Sequence, residues 1–522
     1  MSMATLVHLI IARPPDATAV RAGAGSASYG ELREASGKIA HELRLTYGVR
    51  PGARVGLLME PGPGFVEALL AIWRVRAAAL VLSALHPPKE RTRLLEDAGA
   101  SLVICSEKLA AEAGADTGRV EASDVGSDAP ERPLLVIDRA AHADATRTGL
   151  GGVLLPELDD LALLLYTSGT TGAAKGAMLR HRHLVAQCEA IATAWDLRPD
   201  DELVHALPLH HTHGLVISLL SLLARGGSAT MLPRFDAGQV LAACTGASVF
   251  MGVPTMYARL ADALDALAPA DLEAARKGLR AMRLCTSGSA GLPVSIGERW
   301  AQHAGRYPVE RFGMTELGVV LSNPLAGERV PGSVGWPLPG VAVRVADEAG
   351  AEADDGELQV AGPTVFDGYW QRPEATAEAF LVADGVRWFR TGDSVRREVD
   401  GRFTVVGRTS VDVLKSAGYK LSAITIEEAI RTHPEVRDAA VVGLPDETYG
   451  QIVAAAVMPR EGAALTADAL TAYLRDELAA YALPRFVRFV DDVPRNAMGK
   501  VLKPELAAEL EAERTRAAHS GG

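Results

Sequence analysis

Cysteine is scarce in this chain and scattered. Cys105, Cys188, Cys244 and Cys285 form no CxxC pair, so neither a disulfide framework nor a thiolate zinc site is indicated, and a reducing cytoplasm is the expected setting. Long apolar runs are missing too. The best of them, Leu215 to Ala224, is interrupted by serines and covers about half a bilayer, so no membrane association is expected. The N-terminal stretch Thr5 to Ile11 has no basic segment and no cleavage pattern, and reads as a first helix rather than a signal peptide. Lysine and arginine form no block, and 53 basic against 65 acidic residues leave a formal charge of −12. That balance excludes a broad nucleic-acid footprint, and any anionic substrate must be held by a few local cations. What remains is an ordinary globular composition, 48% apolar and 23% charged, on 522 residues, too many for one compact core. No internal repeat is present.

Patterning divides the chain. To about residue 155, helical and strand-like segments alternate: a helix opening at Tyr29-Gly30-Glu31-Leu32, a strand over Arg54 to Met59, a helix over Gly64 to Val75 and a strand over Leu102 to Cys105. Such alternation predicts an α/β layer fold. Gly114 to Gly152 is polar, acidic and Gly/Ala-rich, and reads as surface loops. A second α/β block follows, with short strands at Ser228 to Leu232, Ser248 to Met251 and Met282 to Thr286. From Gly335 turn residues recur at short intervals between strands at Val341 to Val345, Glu357 to Val360 and Phe403 to Val406, which predicts a small β subdomain. Beyond Gly407-Arg408 a helix, a strand, a helix and a strand predict a compact α+β unit, followed by a charged helix from Ala507.

The richest chemistry lies in Tyr166 to Gly176. After the apolar run Leu161 to Leu165 come three glycines, the hydroxyls of Thr167, Ser168, Thr170 and Thr171, and Lys175. Turned backbone N–H groups, hydroxyls and one cation make a polyphosphate cradle. It is not a Walker loop, because Ala174 precedes the lysine and Gly176 follows it. His210, His211 and His213 invite a metal reading, but no carboxylate or cysteine accompanies them and adjacent side chains tend to point apart. A substrate-pocket wall or the capped start of a helix are the other readings. Thr286 to Gly291 is a Gly/Ser strand-to-helix turn suited to a flat heterocycle. Glu310 to Glu316 joins an aromatic, a hydroxyl and a carboxylate suited to Mg²⁺, although a β-turn with an exposed glutamate has the same composition. Asp393, read at a strand end beside Gly392, suits ribose hydroxyls. Lys500 stands on a loop near the C-terminus, where a lone lysine is ordinarily solvated.

In this order the motifs resemble the adenylate-forming superfamily of acyl-CoA synthetases, adenylation domains and beetle luciferases, from Ser28-Tyr29-Gly30-Glu31-Leu32 to Gly499-Lys500. The resemblance implies an enzyme with a large N-terminal domain, residues 1–407, built of layered α/β subdomains and a small β subdomain, and a small mobile α+β C-terminal domain, residues 408–522. It implies ATP and Mg²⁺, a small carboxylic acid and coenzyme A as cosubstrate, with the chain working as a monomer or small homo-oligomer. A carboxylate attacks the α-phosphorus of MgATP, and a thiol then displaces AMP. By position, Thr167, Ser168, Gly169, Thr170, Thr171 and Lys175 would hold the β/γ-phosphates. Ser289, Ala290 and Gly291 would line the adenine, with Phe312 stacked on it. Thr315 would touch the α-phosphate, Glu316 would bind Mg²⁺, and Asp393 and Arg408 would hold the ribose. Lys500 would stabilise the adenylation transition state. Gly418 and Lys420 would face coenzyme A. A hinge is expected near Ser410 to Asp412, although Ser410 stands where the family carries a charged residue and one extra residue precedes Gly418.

Within the superfamily, His211 to Leu215, Gly252 to Tyr257, Thr286 to Ala290, Glu310 to Glu316, Gly407 to Asp412 and Pro494 to Lys500 are most similar to malonyl-CoA synthetases. A dicarboxylate needs a cation for its distal carboxylate. Arg234 and Arg311 are the expected pair, helped by Ser287 and His213, with Arg283 a further arginine nearby. Methylmalonate differs by one methyl and is an expected alternative substrate. The rival readings are a synthetase for another short-chain or aryl acid, an amino-acid adenylation domain and a non-catalytic nucleotide-binding protein.

Overall fold

The computed structural model describes residues 4–23, 25–116, 133–137, 154–167, 174–416, 419–446, 448–496 and 499–520. Three sheets organise them. The first has six strands in the order Leu134–Ile137, Leu102–Ser106, Arg54–Leu58, Ala78–Val81, Leu161–Thr167 and Lys175–Arg180. All of its pairings are parallel except the last, an antiparallel hairpin with Thr167 opposite Lys175. The helix Pro63–Trp73 behind this sheet buries every residue except Gly64. Each large side chain there contributes about 1.5–3 kcal/mol of burial free energy. Trp73 Nε1 donates to Ala162 O at 2.8 Å, tying that helix to the strand that leads into the glycine loop.

The second sheet has fourteen strands and changes character midway. Gly25–Ser28 pairs antiparallel with Thr18–Ala22 at one edge. From there Thr18–Ala22, Ser228–Met231, Glu202–His205, Val249–Gly252, Leu284–Ser287 and Val309–Met314 lie parallel, with crossover helices between them. Beyond Val309–Met314 the pairings are antiparallel: Gly318–Ser322, Ser333–Pro337, Phe403–Arg408, Val386–Arg397, Asp355–Ala361 and Ala342–Ala346, with Phe380–Ala383 also paired to Val386–Arg397. The strand-rich region is therefore joined to the second α/β block through Ser333–Pro337.

The last sheet has five strands, Tyr419–Ser422, Val413–Ser416, Gly450–Pro459 and Val436–Asp446, with Phe486–Phe489 parallel to Gly450–Pro459. Helices Ala423–Arg431 and Ala467–Glu477 cover one face through Ile426, Ile430, Leu470 and Leu474. Helix Lys503–Ser520 covers the other through Leu506 and Leu510, and starts four residues before the expected Ala507. This unit touches the large sheet, where Ser422 Oγ donates to Val406 O at 2.6 Å, and the start of helix Val294–Ala304, where Glu428 accepts from Val294 N at 3.0 Å.

Three local features add to what the sequence shows. The glycine loop closes an antiparallel hairpin, and Tyr166, Thr167, Lys175 and Gly176 belong to its strands. The polar stretch after Gly114 contains the strand Leu134–Ile137. The apolar run after His213 is wound wide, as a π-helix over His213–Leu220. There Ser218 Oγ donates to His213 O and Ser221 Oγ to Val216 O, both at 2.8 Å, giving those carbonyls a second partner.

Candidate active site

The site residues gather where the large sheet turns from parallel to antiparallel. Glu316 follows Thr315 in the turn between Val309–Met314 and Gly318–Ser322 and is buried, not the exposed turn glutamate that the composition allowed; Thr315 is half-buried. Glu316 Oε1 accepts from Tyr369 Oη at 2.9 Å. Burial pushes the carboxyl above its ordinary range and Asp393 adds to this, while Tyr369 and Arg408 oppose it. Lys175 Nζ stands over the same tyrosine, 5.3 Å from the centre of the Tyr369 ring. Thr167 Oγ1 donates to Lys175 O at 3.4 Å. Ser168, Gly169, Thr170 and Thr171 lie outside the described residues.

Asp393 lies inside the long strand Val386–Arg397 rather than at a strand end, where Gly392 takes a positive φ of 70° and bends the chain. It sits opposite Arg408, whose Nη1 donates to Asp393 Oδ2 at 2.8 Å and to Thr391 O at 2.7 Å. Burial raises the Asp393 carboxyl, and Arg408 and Lys500 both pull it back. Lys500 itself is exposed, on a loop where Asn496 Oδ1 accepts from its N–H at 3.0 Å. Neighbouring Gly499 presses on Thr255 in the first turn of helix Pro254–Asp265: a Cβ at Gly499 would lie 2.4 Å from Thr255 Oγ1. The small domain thus sits with Lys500 in the electrostatic reach of Asp393.

A second group of side chains lies alongside. Arg311 is 4% exposed and no protein acceptor meets its Nε or Nη2 among the described residues. Desolvation lowers its pKa to about 10, so it stays charged at neutral pH. The guanidinium lies against Gly288, where a Cβ would fall 2.3 Å from its Cζ, so the glycine that sterics demand in this turn is Gly288; Gly291 is exposed with open space around it. Ser287 Oγ is buried and also unpartnered among the described residues. His213 Nδ1 lies 3.1 Å from Ser289 Oγ, while Nε2 has no partner there. Burial first, and Arg311 next, hold the His213 ring neutral, well below the ordinary imidazole pKa. Ser289 has a φ of 71°, an uncommon conformation for a residue with a side chain. Ala290 is exposed beside it, and Phe312 is half-buried opposite Leu321.

Not every expected residue joins these groups. Arg234 is exposed in the turn after Ser228–Met231, with no ion pair among the described residues. Arg283 is a scaffold residue, with Nε 2.6 Å from Asp201 Oδ1 and Nη1 3.0 Å from Trp195 O. The adjacent rings of His210 and His211 do not point apart; their centres are 4.1 Å from each other, and His86 lies 5.0 Å from His210. Burial holds His210 and His211 at about 2 and about 4, so both are neutral imidazoles. Gly418 lies outside the described residues, as does the side chain of Lys420. Tyr369 was not anticipated. It is 53 residues from Glu316 in sequence, and no spacing rule links the two.

Glu316 fits a hard cation in chemistry. It is an oxygen donor, and no group of three metal-binding side chains surrounds it among the described residues. Such a site suits a Mg²⁺ that keeps waters and phosphate oxygens as its other ligands.

Comparisons with known proteins agree with this layout. The family model for AMP-binding enzymes matches residues 9–370, and that for the AMP-binding enzyme C-terminal domain matches residues 425–500. The chain is 38% identical to a mitochondrial malonate–CoA ligase of Mus musculus, over 93% of this chain and 87% of that protein. The crystal structure of ATP-bound MatB from Rhodopseudomonas palustris superposes with a TM-score of 0.86 at 34% identity, covering 98% of this chain and 99% of that one. A malonyl-CoA ligase in a ternary product complex with methylmalonyl-CoA and AMP is 36% identical, with a TM-score of 0.64 over 93% of this chain and 99% of that one. The chain belongs to the AMP-binding enzyme family.

Proposed function

We propose that this protein is an ATP-dependent malonate–CoA ligase that also accepts methylmalonate. One malonate carboxylate oxygen attacks the α-phosphorus of MgATP, the α–β bridging bond breaks, and pyrophosphate leaves. The coenzyme A thiol, losing its proton, then attacks the malonyl carbonyl, and AMP departs with the bonding pair of the broken C–O bond. A carboxylate has no good leaving group of its own, and adenylation supplies one. Lys175 and the loop before it would hold the departing phosphates, and Glu316 the Mg²⁺ that neutralises their charge. Asp393 accepts from ribose hydroxyls, and Lys500 puts a cation beside the α-phosphate as negative charge builds there.

The observation that carries the choice of acid is Arg311. A buried guanidinium whose Nε and Nη2 meet no protein acceptor among the described residues is unfavourable unless the substrate brings the anion. Ser287 Oγ and the Nε2 of neutral His213 are further unpartnered polar atoms nearby in the fold, suited to the remaining lone pairs of a distal carboxylate. A monocarboxylate or aryl acid would leave Arg311 unpaired. Arg234, exposed, is not needed for this reading. ATP–pyrophosphate exchange with a panel of acids, followed by thioester formation with coenzyme A, tests it. Exchange is expected with malonate and methylmalonate and to be weak with acetate, propionate and benzoate. Arg311→Met is expected to lower kcat/KM for malonate about 10- to 100-fold while sparing monocarboxylates. No exchange with any acid sinks the ligase reading, and an unchanged acid preference in Arg311→Met sinks the dicarboxylate site.

A further inference from the structure

Lys503 opens the C-terminal helix three residues after Lys500, yet it is 9% exposed. Its Nζ lies 2.5 Å from Asp412 Oδ1 and 2.8 Å from Glu427 Oε1, and both carboxylates are buried. Glu427 belongs wholly to the small domain: Oε1 also accepts from Val441 N at 2.8 Å, and Arg431 stands 3.6 Å from Oε2. Asp412 faces two ways. Its Oδ2 accepts from the backbone N–H of Arg408 at 2.9 Å, and Arg408 is anchored on the large sheet through Asp393 and Thr391. Thr409 N also donates to the large sheet, to Gly392 O at 3.0 Å. The connecting segment is thus fastened to the large domain at Arg408 and Thr409, and to Lys503 at Asp412. Between those fastenings lie Ser410 and Val411, folded into a turn in which Val411 N and Asp412 N donate to Arg408 O at 3.1 and 2.7 Å.

The Lys500 loop is fastened to the same place. Leu502 N donates to Pro494 O at 2.8 Å, Arg495 pairs with Val501, and Arg495 Nη2 reaches Asp438 Oδ2 at 2.6 Å. Lys500 therefore has a fixed offset from Lys503, and Lys503 has a fixed offset from the pivot.

We propose that Lys503 is a positioning residue for the adenylation half-reaction: its ion pair with Asp412, braced by Glu427, sets where Lys500 stands when the small domain is seated as it is here. The proposal rests on the acid–CoA ligase reading. Turning the small domain about Ser410 and Val411 changes the dihedrals between Arg408 and Asp412 and breaks the Asp412–Arg408 N–H bond. The clamp accordingly spans the pivot only in the present arrangement; on this proposal it serves adenylation and not thioester formation. Burial opposes the charge on Lys503, but Glu427 and Asp412 outweigh it and hold its pKa above the usual lysine value. Lys503 therefore carries its charge at neutral pH.

The test separates the two half-reactions. Wild type, Lys503→Met, Lys503→Arg and a Lys500→Ala benchmark are compared in ATP–pyrophosphate exchange with malonate, and in thioester formation from supplied malonyl-adenylate and coenzyme A. Both Lys503 variants are expected to lose about tenfold or more of the exchange kcat, because a small misplacement of a catalytic group is enough to do so. KM for ATP is expected to stay within about twofold, and thioester formation within about threefold, of wild type. Should Lys503→Met fail to fold, Lys503→Arg carries the same comparison with the charge retained and displaced. Equal losses in both half-reactions, or none in exchange, overturn the proposal. Absence of exchange by the wild type with every acid overturns the ligase reading and this inference with it.

Discussion

Glu310 and Arg311 are neighbours on one strand and have opposite fates. Arg311 is buried with no protein acceptor for its Nε or Nη2 among the described residues, whereas Glu310 is buried beside Tyr307 and accepts from Gly332 N at 3.0 Å. Burial, with Glu428 adding to it, raises its pKa to about 8. The unfolded glutamate ionises near its ordinary value, so between these limits the folded chain binds a proton that the unfolded chain has released. The stability that Glu310 contributes is full below the unfolded pKa and is lost as pH rises towards 8. Glu310→Gln is therefore expected to flatten the fall of Tm with pH in that window, and to be the more stable protein at its upper end. Thermal melts of both proteins across the window check this, and parallel curves contradict it. At this scale the sequence is legible in residue type and blind to environment. Phe312, Thr315 and Glu316 are recognisable because they follow one another in one motif. The burial of Glu310, the missing partner of Arg311 and the phenol of Tyr369 on Glu316 depend on strands far apart in the chain.

Short apolar runs bounded by turn residues locate most of the strands, and the hydrophobic helices between them are equally plain. How strands pair is not. A hairpin and a strand-to-helix turn have the same glycines and hydroxyls, so Tyr166 to Gly176 does not disclose that it joins antiparallel neighbours. Nor does composition reveal that the strand-rich region continues the large sheet through Ser333–Pro337. That seam depends on Gly335, which has a φ of 78° and where a Cβ would fall 2.1 Å from Ser322 O. Gly335→Ala is expected to destabilise the protein by about 2–4 kcal/mol, since both the backbone conformation and the strand contact are lost. A lowered Tm and poor recovery of soluble protein would show this; an unchanged melt would contradict it. The π-helix is equally hidden, because the side-chain bonds of Ser218 and Ser221 to backbone carbonyls leave no mark on the hydrophobic pattern.

At the scale of the whole molecule, motif order is enough to read two parts joined near Arg408, but not the contacts that seat one on the other. Thr255 is such a contact, pressed by Gly499. Thr255→Trp is expected to lift the Lys500 loop and cut ATP–pyrophosphate exchange about tenfold or more, while thioester formation from supplied adenylate persists. Wild-type exchange in that variant would show that the loop does not need this seat. The two large sheets raise a different matter. Thr167 and Lys175 belong to the six-stranded sheet, whereas Ser289, Glu316, Asp393 and Arg408 are carried by or lie beside strands of the fourteen-stranded one. The lobes are stitched by Met178 N to Gly368 O at 3.1 Å and Trp370 N to Gly176 O at 2.8 Å, beside the Tyr369 ring under Lys175. Both sheets also pack on one continuous apolar core, which runs from Val55, Ile104 and Leu163 to Val249, Leu284 and Val309. Lys175 and Glu316, both set against the one tyrosine, therefore cannot separate without opening that shared interior.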